Sequence, residues 1–222
     1  MTLWLHVHGG YPSYARNCEE WTPTDHTALK FVRALKGQEF NGYATLRTRK
    51  GEAVQIRKNH TAPAFRIFGE WAAHKLGELQ VAGGFLVPVP SSSCTAFGTD
   101  EKGRNLATAV ADRNPNFKVG EALSWKVDLG RAAEGGPRDS GTLFNNLNVK
   151  PHAEASTVVL IDDVASSGGH LLACARALRL QGHTVEHALC AARTVNTHPA
   201  NMWAIPPCDL EANPFENLPF NF

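Results

Sequence analysis

Thr157-Val158-Val159-Leu160-Ile161 is the stretch that most limits what this chain can become. It is apolar on both of its alternating faces. A strand like that needs cover on both faces, as a central strand of a parallel sheet has. It runs directly into Asp162-Asp163, which marks where the strand reaches the sheet's edge. Small residues follow at Ser166, Ser167, Gly168 and Gly169. Leu171, Leu172, Ala175 and Leu178 then recur at helical spacing, which predicts a helix from about Gly169 to Gln181 with Gly182 as its stop. Thr184 to Ala191 reads as the next strand. This strand-loop-helix-strand unit is the building block of a doubly wound α/β fold, in which ligands sit beyond the carboxyl ends of the strands.

The rest of the chain extends that expectation. Leu3 to Val7 predicts a short strand. Thr24 is a candidate N-cap for a helix to about Lys36, with Gly37 as its stop. Gly42 to Arg49 and Ala53 to Arg57 predict a hairpin turned at Lys50-Gly51-Glu52, with Arg47, Arg49 and Arg57 facing out. Pro63 opens a helix with an apolar stripe through Phe65, Phe68, Ala72, Leu76 and Leu79. Phe85-Leu86-Val87 is a strand that should stop at Pro88-Val89-Pro90, because proline cannot donate to a sheet. Gly103 to Ala111 predicts a helix, Phe117 to Trp125 a strand, and residues 126–150 a long connection. The expected fold is α/β: a doubly wound, mostly parallel sheet flanked by helices, with a small amino-terminal hood containing a β-hairpin. The expected division is 1–80 hood, 81–193 core, and 194–222 a tail rich in Pro, Asn and aromatics.

Composition removes several function classes. The net charge of +1 gives no reason to expect a nucleic-acid partner. No stretch approaches the ~20 apolar residues of a membrane span. Met1-Thr2-Leu3-Trp4 lacks the basic flank of a signal peptide. Five cysteines, an odd number without a CxxC, argue against a disulfide scaffold or a four-cysteine zinc site, and a cytoplasmic setting is the simplest expectation. His6 and His8 share one side of their strand. With Asp25 and His26 nearby they form an alternative metal constellation, which would suit a metal hydrolase.

The segment Val158 to His170 carries the chemical argument. A helix start offers unpaired N–H groups and a positive dipole end to a phosphate. Gly168 and Gly169 let the backbone come close to it, and Ser166 and Ser167 add hydroxyl donors. Asp162 and Asp163 can accept from neighbouring ribose hydroxyls and orient water on magnesium. Adjacent strand residues point opposite ways, so the chain must turn at Asp163 for both acids to serve one ribose.

These thirteen residues resemble the signature with which type I phosphoribosyltransferases bind phosphoribosyl pyrophosphate (PRPP). The pattern is closest to the competence-protein-F-like and amidophosphoribosyltransferase branch. The resemblance implies a magnesium-dependent pentosyltransferase that moves ribose 5-phosphate from PRPP to a base or amine acceptor and releases pyrophosphate. It assigns the 5-phosphate to Ser166, Ser167, Gly168, Gly169 and His170, where His170 stands in place of the family's usual threonine. If a charged His170 contacts the phosphate, PRPP affinity should rise as pH falls through about 6.5; the alternative is a His170 that simply faces solvent on the first helical turn. Asp162 and Asp163 become catalytic residues that meet magnesium through water.

Val87-Pro88-Val89-Pro90-Ser91-Ser92-Ser93 is similar to the pyrophosphate loop of the same branch, giving roles to Val89, Pro90, Ser91 and Ser92. Lys102 to Ala107 resembles the segment that follows this loop; there Arg104 is either a phosphate partner or an ordinary helix-start residue. Residues 131–138 occupy the place of the family's closing loop, with Arg138 the first candidate to stabilise the leaving pyrophosphate and Lys126 and Arg131 behind it. Ser166 stands where some purine enzymes carry an acid, and no general base for the acceptor is evident. A PRPP- or nucleotide-sensing protein without turnover is therefore the rival reading. Trp21, Phe40, Tyr43 and Phe144 are candidates to stack on an acceptor ring. The resemblance covers about residues 80–193, and relatives commonly form homodimers.

Overall fold

The computed structural model describes residues 2–14, 20–130, 135–151 and 154–212. The chain runs β1 (Trp4–Pro12), α1 (Pro23–Leu35), β2 (Tyr43–Arg47), β3 (Ala53–Arg57), α2 (Ala62–Glu78), β4 (Gly84–Pro88), α3 (Glu101–Ala111), β5 (Phe117–Val119), β6 (Leu123–Trp125), α4 (Ser140–Asn145), β7 (Leu147–Val149), β8 (Thr157–Ala165), α5 (Gly169–Leu180), β9 (Thr184–Val195) and β10 (Cys208–Asp209). The main sheet has the order β10-β1-β9-β8-β4-β5. All its neighbours are parallel except β10, which pairs antiparallel with β1 at the edge. β2-β3 and β6-β7 form two separate antiparallel pairs.

β8 lies between β9 and β4, and its apolar alternation supplies two cores. Val158 and Leu160 join a first core with Leu171, Cys174 and Leu178 of α5, Trp125 and Leu143. Val159 and Ile161 join a second core with Phe31, Val32 and Leu35 of α1, Phe68 and Leu76 of α2, and Leu106 and Val110 of α3. The hairpin belongs to the second core through Ala44, Leu46 and Ile56. The α/β fold read from β8 therefore holds, with the expected hairpin beside it.

Local chemistry moved several boundaries. The N-cap of α1 is Thr22, not Thr24. Pro23 sits in the first turn, and Thr22 and Asp25 form a reciprocal capping box. The predicted strand from Phe117 to Trp125 breaks at Gly120, whose N–H bonds to the Leu86 carbonyl; β5 stays in the main sheet and β6 leaves it for β7. The 126–150 connection contains α4 and β7.

The stretch 1–80 does not sit apart from the sheet. β1 runs inside it, paired with β9 from Trp4↔His187 to Pro12↔Val195. The tail also returns. The Gly10 N–H bonds to the Met202 carbonyl at 2.8 Å, the Leu210 N–H bonds to Leu3, and Met202, Ile205 and Leu210 are buried in the first core. A Cβ at Gly9 would lie 2.8 Å from the Trp203 ring, so this segment can cross β1 there only because the strand lacks side chains. Among the described residues no helix is long and apolar enough to cross a membrane. Cys94, Cys174, Cys190 and Cys208 are free thiols, and Cys18 lies outside the described residues.

Candidate active site

Asp162 and Asp163 lie near the carboxyl end of β8, but the chain does not turn at Asp163. Pairing with β9 continues through Val164↔Ala192 and Ala165↔Arg193. Strand alternation therefore puts the two acids on opposite faces, Asp162 toward the first core and Asp163 toward the second. The Asp162 Oδ1 accepts from the Asp163 N–H at 2.8 Å.

Asp163 is buried, and two lysines meet it there. Lys36, the C-cap of α1, donates to Oδ1 at 2.9 Å. Lys102, in the first turn of α3, reaches Oδ2 at 2.6 Å. Burial opposes a charge on Asp163, but the Lys36 and Lys102 ammonium groups outweigh it and hold its pKa below the usual carboxylate value. Burial likewise opposes the Lys102 charge and is outweighed by Asp163, so the Lys102 pKa is raised. Asp162 goes the other way. Burial first, and the Asp163 charge second, push it up to about 7. Such a divergence between neighbouring acids separates an ionised carboxylate from one that keeps its proton.

Above the acids, Ser166 and Ser167 lead into α5. Gly168 is its N-cap at φ 80°, a left-handed conformation that glycine adopts without strain. No side chain caps that end. Ser167 is buried, and its Oγ accepts from the Gly169 N–H at 3.3 Å. Gly169 is required by packing: a Cβ there would sit 2.0 Å from the Arg138 carbonyl oxygen. Arg138 thus lies against the start of α5. Burial, and then the Arg138 charge, lower His170 to about 4. At pH 6.5 the folded chain therefore holds His170 neutral, and a charged contact with a phosphate would have to work against its burial. Arg131 lies outside the described residues.

The loop after β4 is tied down at several points. The Val89 N–H bonds to the Ile161 carbonyl at 2.9 Å, and the Ser91 N–H to Asp100 Oδ2 at 2.6 Å. The Cys94 N–H closes a turn on the Ser91 carbonyl at 2.8 Å, which leaves Ser92 and Ser93 at its tip. Trp125, fully buried, donates from Nε1 to the Pro90 carbonyl at 3.1 Å and stands edge-on to His170 at 5.5 Å. It packs between the loop after β4 and the first turn of α5. Asp100 joins the same assembly, since its Oδ1 also accepts from Gly103 at the start of α3.

Other candidates are occupied elsewhere. Arg104 pairs with Glu121 at 2.8 Å and bonds the Gly98 carbonyl. Lys126 donates to the Asn145 carbonyl at 2.7 Å. Phe40 is buried in the second core, Trp21 packs on Tyr14 and His26, Tyr43 carries Arg57 over its ring, and Phe144 carries Arg176. The histidine constellation does not assemble. His6 Nε2 meets His187 Nδ1 at 3.3 Å, His8 is ringed by Phe31, Trp71 and Trp203, and Asp25 is committed to its cap. Among the described residues no cluster of three or more His, Cys, Asp or Glu could hold a metal ion.

Sequence reading missed Lys36, Asp100 and Trp125, and gave Lys102 no role. Lys36 lies 127 residues from Asp163 and reads locally as a helix end. Lys102 stands inside the resembling segment two residues before Arg104, and nothing in the local sequence marks it as the cation that reaches Asp163.

The sequence matches no family model. It also matches no curated protein. Among solved structures, the chain is similar to the adenine phosphoribosyltransferase of Thermoanaerobacter pseudethanolicus, with 14% identity, a TM-score of 0.37, and 69% of this chain and 95% of that one covered. It is also similar to adenine phosphoribosyltransferase from Saccharomyces cerevisiae, at 13% identity and TM-score 0.36, covering 74% and 88%. A third match is Leishmania donovani UMP synthase, at 14% identity and TM-score 0.32, with 74% of this chain but 29% of that one covered. Likeness of that degree does not fix chemistry, which has to be read from the site.

Proposed function

We propose that the protein transfers ribose 5-phosphate from PRPP to a base or amine acceptor and releases pyrophosphate. The observation that carries this reading is the ionised, buried Asp163 at the end of a central parallel strand, three residues before a small-residue loop and an uncapped helix start. In this reading Asp163 accepts the ribose hydroxyls. The amides of α5 after Gly169, whose own N–H already meets the Ser167 Oγ, hold the 5-phosphate together with Ser166. Asp162, protonated near neutrality, donates a hydrogen bond on the other side of the strand.

The Ser92 and Ser93 end of the turn after β4 receives the pyrophosphate, because Val89 and Ser91 have already spent their N–H groups inside the protein. Arg138 stands beside the 5-phosphate loop and adds positive potential there. Departure of pyrophosphate leaves positive charge on the ribose. The Asp163 carboxylate, fixed before substrate arrives, stabilises that charge without reorganising. Magnesium in this reading arrives with PRPP, where it would neutralise the leaving pyrophosphate, and Asp162 and Asp163 would meet it through water.

The test is a pyrophosphate-release assay with PRPP, magnesium and a panel of bases and amines. Release that depends on one acceptor and drops at least about a hundredfold in Asp163→Asn supports transfer. Tight PRPP binding with no release from any acceptor would leave a sensor. No binding of PRPP would end the reading.

A further inference from the structure

A whole-chain charge of +1 conceals a local excess. Residues 43–66 hold six Lys or Arg and one Glu, a net +5 that the rest of the chain offsets. Most of that charge sits on one ribbon. Strand alternation turns Ala44, Leu46 and Ile56 into the second core, and Tyr43, Thr45, Arg47, Gln55 and Arg57 outward. Register sets Tyr43 opposite Arg57 and Thr45 opposite Gln55, while Arg49 and Lys50 lie exposed at the turn. Lys58 pairs with Glu39, and Arg66 with Glu52 and Glu70. Among the described residues Arg47, Arg49, Lys50 and Arg57 form no ion pair; Arg47 bonds the Gly51 carbonyl and Arg57 the Gln55 side-chain oxygen. Four cations gathered on one ribbon repel one another, and a polyanion relieves that repulsion. Two further features decide which polyanion. Tyr43 carries Arg57 over one face of its ring at 5.5 Å, yet the residue is still 53% exposed. An exposed aromatic among cations takes the flat face of an unpaired base, which a duplex keeps stacked inside. A cavity of about 600 Å³ also opens between β3 and the start of α2, lined by Gln55, Arg57, His60 and Arg66. Gln55 and Arg57 therefore belong to the face and to the hollow beside it. A membrane surface fits less well, because Tyr43 is the only large apolar side chain that the hairpin exposes among the described residues.

We infer that the outward face of β2-β3, with the hollow beside β3, binds single-stranded nucleic acid. Arg47, Arg49, Lys50 and Arg57 meet its phosphates, Gln55 offers hydrogen bonds, and the exposed side of Tyr43 receives an unstacked base. This is a second site on the chain, and it does not depend on PRPP transfer. Its attraction is to backbone charge and to the π face that every base has, so recognition tolerates changes of sequence.

The experiment is fluorescence anisotropy on the full chain with a labelled single-stranded RNA of mixed sequence, about ten nucleotides long. Counterion release from about four phosphates should weaken binding about fiftyfold between about 50 and 200 mM salt. Arg47→Ala and Arg57→Ala combined should lower affinity at least about tenfold at low salt and shrink that fall to about sevenfold, since two of the four cations remain. Tyr43→Ala should lower affinity about tenfold with its salt dependence unchanged, and Tyr43→Phe should restore it, as stacking requires. A duplex of the same sequence should bind at least about tenfold more weakly, because it presents no free base face. The substituted side chains are all exposed, and thermal melts of each variant check that it folds. Absence of RNA binding at about 50 mM salt overturns the inference. So does binding that survives both hairpin variants unchanged, which would place the RNA elsewhere on the chain, and so does a duplex bound as tightly as the single strand. Vesicles rich in phosphatidylserine that sediment the protein at RNA concentrations leaving it free would make the hairpin a membrane contact instead.

Discussion

The charge state of two adjacent acids governs the site at the scale of single residues. Asp162 keeps its proton to about pH 7 in the folded chain, whereas an unfolded aspartate releases it near the ordinary value of about 3.9. Between those values the folded protein binds more protons than the unfolded one, so Asp162 lowers stability as pH rises. Asp162→Asn has no proton to lose. It should leave stability nearly unchanged at pH 4 and gain on the order of 2–4 kcal/mol over wild type by pH 8, read from urea melts at both pH values. Asp163→Asn should behave oppositely, because its pKa is lowered: stability present above about pH 4 is lost. An Asp162→Asn gain that is the same at both pH values would mean that Asp162 is not held protonated.

One side chain couples the loop after β4 to α3 at the scale of elements. Asp100 accepts from Ser91 through Oδ2 and from Gly103 through Oδ1, so it caps the helix and anchors the loop at once. Helix caps are worth about 1 kcal/mol, and a charged acceptor for a second N–H adds to that. Asp100→Ala should cost about 1–3 kcal/mol in denaturant melts. Under the proposed transfer it should also raise the KM for PRPP more than Thr22→Ala, whose capping box on α1 is similar in kind but does not touch the loop. Equal effects of the two substitutions on KM would show that Asp100 serves folding alone. Element boundaries followed the same local rules. Thr22 displaced Thr24 as a cap because Pro23 favours the first helical turn, and Gly120 ended β5 where a continuous strand had been expected.

Stability should be uneven across the whole molecule. β8 is paired on both sides and covered by two cores, whereas β2-β3 pairs only with itself and rests on α1 and α2 through Ala44, Leu46 and Ile56. Two strands alone are marginal in water. Amides of Tyr43–Arg47 and Ala53–Arg57 should therefore exchange with solvent through a local opening, at least about a hundredfold faster than those of Val158–Ile161, in native-state hydrogen exchange. Equal protection would mean that the hairpin opens only when the entire chain does.

The sequence by itself determined the strand-loop-helix from Thr157 to Leu180 and hence the α/β class. Those features are local: an apolar alternation, glycines that free the backbone, and a helical stripe all act between near neighbours in the chain. Only the tertiary structure decided that β1 enters the sheet beside β9, that Arg104 is bound to Glu121, that the two acids face apart, and that Lys36 and Lys102 converge on Asp163. An ion pair between residues far apart in the chain is set by how helices settle on a sheet, and no residue near Lys36 in sequence carries a trace of the carboxylate it will meet.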